Sequence, residues 1–219
     1  EEDWHHGHNL HLLGTVYLRL GNDKEAERLF QEAFHLKGRG SLVDRYCAPW
    51  IEYLLLRGRS EEALAVALEV EKRSSPIARL IGSALAGEAL VALGRIDEAK
   101  KALKRAEAAE KRVVESAKNT PYETFAPFFV RPFLDTLAGE VALRGKNPAP
   151  GEMQFIAMAD ALAANPRLDA WAEGLFRLER MAADARRAGR SELAQALVER
   201  IHRIDPEFTS GAAATAAAQ

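Results

Sequence analysis

Apolar and polar positions alternate along this chain with a helical period, and glycines cut the pattern into blocks. The first block is Leu10 to Ala33, LHLLGTVYLRLGNDKEAERLFQEA. Leu10 to Leu20 predicts one helix, Gly21-Asn22 a turn, and Asp23 the cap of a second helix. Glu25 complements the dipole of that second helix. It runs to about Leu36, and Gly38-Arg39-Gly40 ends it. The unit Gly-x4-Ala returns at Gly58/Ala63, Gly94/Ala99 and Gly189/Ala194, in the segments GRSEEALAVAL, GRIDEAKKAL and GRSELAQALV. Each is the same turn followed by the same helix. From Gly21 to Gly58 is 37 residues and from Gly58 to Gly94 is 36, so the first three units are regular.

Punctuation refines the later units. Ser41 with Asp44 resembles a capping box opening the second hairpin. Pro49 either kinks the following helix or restarts it from its first turn. Ser75-Pro76 opens the third unit, whose first helix carries Gly87. The next helix runs from Asp97 to about Asn119, with Asp97–Lys101 and Glu107–Lys111 as i,i+4 pairs. The period then slips, because Gly94 and Gly145 are 51 residues apart. Lengthening that helix and its successor, roughly Tyr122 to Arg144, by about two turns each absorbs the difference. After the turn KNPAPGE, Glu152 to Ala164 reads as a helix, stopped by Asn165-Pro166. Leu168 to Ala188, a turn at Gly189, a cap at Ser191 and an end at Asp205-Pro206 complete the last hairpin.

Leu13-Gly14, Tyr17, Gly21, Ala26, Phe30 and Ala33 fall at the offsets of the tetratricopeptide repeat, a helix–turn–helix unit of about 34 residues. The chain resembles that family from roughly Asn9 to Pro206. The resemblance implies an all-α, right-handed α-solenoid of about five repeats and ten helices. The repeats fall at approximately 8–38, 41–74, 76–119, 121–164 and 167–205, within a domain of residues 1–206 followed by an Ala-rich tail, 207–219. Each hairpin has too much apolar surface to stand alone and buries it on its neighbours.

In the family, the first helix of each hairpin forms most of the concave face. Carried over from the turn glycines, that face comprises His8, His11, Thr15, Leu18 and Arg19 in the first repeat and Arg45, Ala48, Glu52, Leu55 and Leu56 in the second. The third gives Ile81, Ala84, Glu88, Val91 and Ala92, the fifth Phe176, Glu179, Ala183, Arg186 and Arg187, and the fourth is too irregular to assign. Glu52 and Glu88 share one register on an apolar floor made by Leu55, Leu56, Ile81 and Val91. Such a floor suits a helical or extended peptide offering apolar side chains and a Lys or Arg, unless Arg45 or Arg19 already neutralises the acids. The Lys and Asn of the family's carboxylate-clamp subclass are replaced by His11 and Thr15, and by Ile81 and Leu85.

The resemblance implies a non-catalytic scaffold for a protein or peptide. A second reading is a regulatory or oligomerisation segment of a larger enzyme or sensor. It would act through Tyr122, Phe125, Phe128, Phe129 and Phe133, which gather five of the thirteen Phe and Tyr residues into twelve positions. Those rings either fill the space beside the long helices or form a homodimer patch.

Charge and chemistry change this picture little. A net charge of −2 suggests neither a nucleic-acid nor a membrane-surface partner. The most apolar run, Leu80 to Leu93, is interrupted by Glu88 and falls short of a membrane span. Cys47 is the one cysteine and sits at a core position. His5, His8 and His11 are a weak metal-holding set, with no cysteine pair or HExxH beside them. No phosphate loop, nucleophile elbow or paired-carboxylate motif appears, so no cofactor and no catalytic residue is expected. The opening Glu-Glu-Asp-Trp, without Met or signal peptide, is expected of a piece of a longer protein. The compartment stays open, a soluble cytoplasmic setting being the expectation.

Overall fold

A computed structural model describes residues 4–36, 45–120, 125–164 and 170–208, with the side chains of 4, 125–129 and 170–173 excepted. Ser41 and Asp44, the end of the first hairpin at Gly38–Gly40 and the Ala-rich tail after Thr209 lie outside those residues. Among the described residues the fold is ten helices and no strand, a helical solenoid. They pair as α1 (Trp4–Arg19) with α2 (Asp23–Phe34), α3 (Ala48–Leu56) with α4 (Ser60–Glu71), and α5 (Pro76–Ala92) with α6 (Ile96–Ala117). The last two hairpins are α7 (Phe125–Leu143) with α8 (Ala149–Ala164) and α9 (Ala170–Arg187) with α10 (Ser191–Ile204). No described helix is long and apolar enough to cross a membrane.

One turn is used four times. Gly21, Gly58, Gly94 and Gly189 have φ of +72°, +71°, +76° and +73°, a left-handed conformation that glycine adopts without a Cβ clash. The amide after each glycine donates back across the helix end, as in Asn22 N to Tyr17 O at 2.9 Å and Arg190 N to Ala185 O at 2.8 Å. The residue after the glycine is therefore the cap, one position earlier than expected. Asn22, not Asp23, accepts from the Glu25 amide, and Arg190 stands where Ser191 was expected to cap. Arg59 and Arg95 hold Glu62 and Glu98 three residues on in place of an amide.

Other expectations resolve locally. Pro49 sits in the first turn of α3, so it restarts the helix. Ser75 caps α5 by accepting from Ala78 N. Asp97 pairs with Lys100 at 2.9 Å. α6 runs for 22 residues against 12 in α2 and in α4, which accounts for most of the slipped period. α7, at 19, is only slightly longer than α1 at 16 and α5 at 17 and does not gain the two turns expected of it. α8 starts at Ala149, earlier than Glu152, where the Asn147 side chain accepts from the Ala149 amide, and Gly151 lets it pack against the backbone of Gly139 and Leu143.

Stacking follows the hairpin order through most of the chain. Each second helix packs on the first helix of the next hairpin, and ion pairs fix the register of those contacts. Asp23 meets Arg57, Glu27 meets Arg59 at 2.7 Å and Glu110 meets Arg131 at 3.0 Å, while Glu71 of α4 meets Arg105 of α6, the second helix of the next hairpin, at 2.6 Å. α5 lies in the middle, packed by α3, α4, α6 and α7, and buries thirteen of its residues. Gly14 admits Phe30 of its own hairpin, as the family pattern implies, whereas Gly87 faces Leu137 of the next hairpin.

Contacts of the last hairpin break the nearest-neighbour order. α9 packs on α3, three hairpins away, and Arg19 of α1 pairs with Asp205 just after α10 and lies over the Phe208 ring. The solenoid thus curls until its fifth hairpin meets its first and second.

Candidate partner-binding groove

The first helices α1, α3 and α5 turn one stripe toward the axis of the superhelix, and the curl brings α9 into it. Thr15, Glu52 and Glu88 stand six residues before their turn glycines. Glu52 accepts from Arg177 at 2.7 Å and from Arg180 at 3.1 Å. The other terminal nitrogen of Arg180 reaches Glu88 at 3.1 Å. A single guanidinium therefore bridges the two acids that share a register one repeat apart. Arg177 also covers the Phe133 ring, 4.3 Å from its centroid.

Toward α7 the polar seam continues. Arg144 donates to Asp184 at 2.7 Å, and Arg187 adds a contact to the same carboxylate at 3.1 Å. Glu140 is buried beside them with one carboxylate oxygen unpaired. Acids outnumber the buried arginines here, and their protonation follows. Burial raises the cost of ionising Glu52, but Arg177 and Arg180 outweigh it and hold its carboxyl below the usual range. For Glu88 burial prevails over the same two arginines and pushes the carboxyl up to about 7. Glu140 is driven well above the usual range by burial and then by the nearby charges of Asp184 and Glu88.

These shifts predict a pH dependence. From the ordinary 4.5 up to about 7, folded protein keeps a proton on Glu88 that the unfolded chain has released. That contribution is fully present below 4.5 and is lost as pH rises through 7. Between pH 5 and pH 8 it amounts to a loss of about 2 kcal/mol. Urea unfolding across that window should show wild type falling relative to Glu88→Gln by this amount. Equal pH slopes in the two proteins would contradict it. Glu52 has the opposite sign, losing its contribution as pH falls, and stays ionised in the window tested.

The expected groove residues divide into two sets. His8 is half-buried near the Tyr46 ring, and His11 is buried between Phe30 and Tyr46. Thr15 donates to the His11 carbonyl at 2.9 Å. Arg19, Arg45, Leu55 and Leu56 are half-buried near the rim. Ile81, Glu88 and Val91 are at most 3% exposed, so they are not on an open floor. The reason is the curl, which lays α7 and α9 beside α5 and α3. The neutralising cations for Glu52 and Glu88 are Arg177 and Arg180, while Arg19 goes to Asp205.

An opening that remains among the described residues is a cleft of about 30 Å³ between α1, α3 and α9. Its walls include His11, Leu18, Phe30, Glu52, Leu56, Phe176 and Arg177. It admits a small group, on the order of one or two water volumes, rather than a whole peptide. Of the aromatic segment, Phe133 is buried; Tyr122 and the side chains of Phe125, Phe128 and Phe129 lie outside the described residues. Cys47 is buried in the core. His5 is exposed, and among the described residues no three His, Cys, Asp or Glu side chains gather as a metal site.

Arg177, Arg180, Asp184, Glu140 and Arg144 were not foreseen as groove residues. Asp184 and Glu140 stand five residues before Gly189 and Gly145, not six, so the inward stripe of α7 and α9 is shifted by one position. The signal available was a charged i, i+3, i+7 stripe, Arg177, Arg180 and Asp184, which by itself reads as a solvated face.

A family model described as tetratricopeptide repeat matches residues 8–38 and 84–111. The first match covers the α1–α2 hairpin, and the second joins the end of α5 to the start of α6. No curated protein matches the chain. No solved structure matches it either. With the repeated glycine turn and the stacked hairpins, those two matches show that the chain carries tetratricopeptide repeats, at residues 8–38 and 84–111.

Proposed function

We propose that this protein is a non-catalytic scaffold that binds a peptide or partner domain at the mouth of its groove, beside its first and second repeats. Tetratricopeptide repeats generally mediate protein–protein interaction. The observation that carries the groove reading is the Arg180 bridge between Glu52 and Glu88. α9 presents an aromatic side chain and two arginines, Phe176, Arg177 and Arg180, to the apolar and acidic stripe of α3 and α5. This is the recognition chemistry expected of a partner helix, carried out within the chain. A partner segment enters at the mouth that α9 leaves open, beside Leu18, Leu55 and Leu56, with its other contacts on the rim.

A photo-crosslinking residue at Leu56, with a control at the exposed Lys101 of α6, tests the location. The partner captured at Leu56 is then purified and titrated against Leu56→Gln. The expected result is capture at Leu56 alone and binding weakened at least about tenfold, or 1.4 kcal/mol, with an unchanged unfolding midpoint. Capture at Lys101 alone, or full affinity in the variant, would move the site off the groove.

A further inference from the structure

The face by which each hairpin receives its predecessor recurs in sequence, and in the first hairpin nothing among the described residues covers it. In the second repeat it lies twelve, eight, five and one residues before the turn glycine: Tyr46, Trp50, Tyr53 and Arg57. The first three are buried, with the Tyr53 ring 5.8 Å from Phe30 of α2, and Arg57 pairs with Asp23 of α2. In the third repeat the same register gives Gly82, Ala86 and Ala89, all buried, with Gly82 against the backbone of α4. In the first repeat it gives Asn9, Leu13, Val16 and Leu20. Leu13, Val16 and Leu20 are 45%, 52% and 74% exposed. They form an apolar stripe along α1 that continues an interface already used twice.

Charge narrows what fits there. In the second repeat, Arg57 and Arg59 receive the acids Asp23 and Glu27 of the incoming helix. The matching positions in the first repeat are Leu20 and Asn22, so no cation waits for an acidic helix. An uncharged stripe can face a copy of itself without repulsion. We propose that two copies of this protein join through antiparallel pairing of α1. A twofold axis near Val16 sets Leu13 opposite Leu20 of the partner subunit. The pairing runs from Leu13 to Leu20, about 12 Å of helix, so it buries less than the roughly 800 Å² per partner of a standard interface. The dimer is accordingly a weak one.

Sedimentation of the full chain from about 1 μM to about 100 μM, the range such an interface implies, tests this. The mass of wild type should rise toward twice the monomer. Val16→Asp with Leu20→Asp should raise the concentration for half-dimerisation at least tenfold. Val16→Cys provides a second readout that is insensitive to lost stability. It should give a disulfide-linked dimer on mild oxidation, while Lys101→Cys should not. A wild type that stays monomeric throughout overturns the proposal and leaves the stripe to a helix of another kind. Dimers that form equally in the double variant, or no crosslink through Val16→Cys, overturn it by placing the contact elsewhere.

Discussion

Arg180→Met should lower the stability of the folded chain by about 3–5 kcal/mol, measured by urea unfolding at about pH 8, above the Glu88 value of about 7, where that carboxylate is ionised. Arg180 is 8% exposed and holds two acids from different repeats, each at 3.1 Å. Removing it leaves Glu88, which is 3% exposed, without its ion-pair partner in a site where burial already opposes ionisation. Glu52 keeps Arg177. The loss should therefore shrink when Glu88 is also changed to Gln, because the uncompensated charge goes with it. An exposed ion pair such as Arg28–Glu25 is held on one helix in solvent, and Arg28→Met should change stability little. If Arg180→Met proved no more costly than Arg28→Met, α9 would not be seated in the groove.

Gly82→Val should also be costly, at about 3 kcal/mol or more, at the upper end of overpacking effects. A Cβ at Gly82 would lie 2.7 Å from Glu71 Cα and 2.8 Å from the Ala67 carbonyl oxygen. Both atoms belong to the α4 backbone, so relief requires moving one helix away from the other. Gly87→Ala makes a useful contrast, since its nearest neighbours are the side-chain carbons of Leu137, which can change rotamer. Its cost should be about 1 kcal/mol. Equal costs at the two positions would mean that α4 and α5 are not in backbone contact at Gly82.

The hairpins were legible in the sequence because their signals are local. A glycine at positive φ and a following helix of period 3.6 need no knowledge of the rest of the chain. Pro49 and Ser75 mark helix starts for the same reason. The caps were misplaced by one residue because the glycine's own hydrogen-bonding pattern, rather than the chemistry of Asp23 or Ser191, decides where the next helix begins. Glu52 and Glu88 share one register, one repeat apart, in the sequence itself, but what they meet was not legible there. Their cation comes from 92 to 128 residues away, and no periodic rule predicts how far a superhelix curls before its ends touch. Arg177 and Arg180 look like solvated charges on an isolated α9. Only the contact of α9 with α3 turns them into groove residues.

The closure of the fifth hairpin onto the second is tested most directly by a double-mutant cycle on Glu52→Gln and Arg177→Met, read by urea unfolding. In an open solenoid, repeats two and five do not touch, and the two substitutions are additive. Here Arg177 donates to Glu52 at 2.7 Å, with both side chains largely buried. The predicted coupling is about 2 kcal/mol, and a coupling below about 0.5 kcal/mol would contradict the closed superhelix.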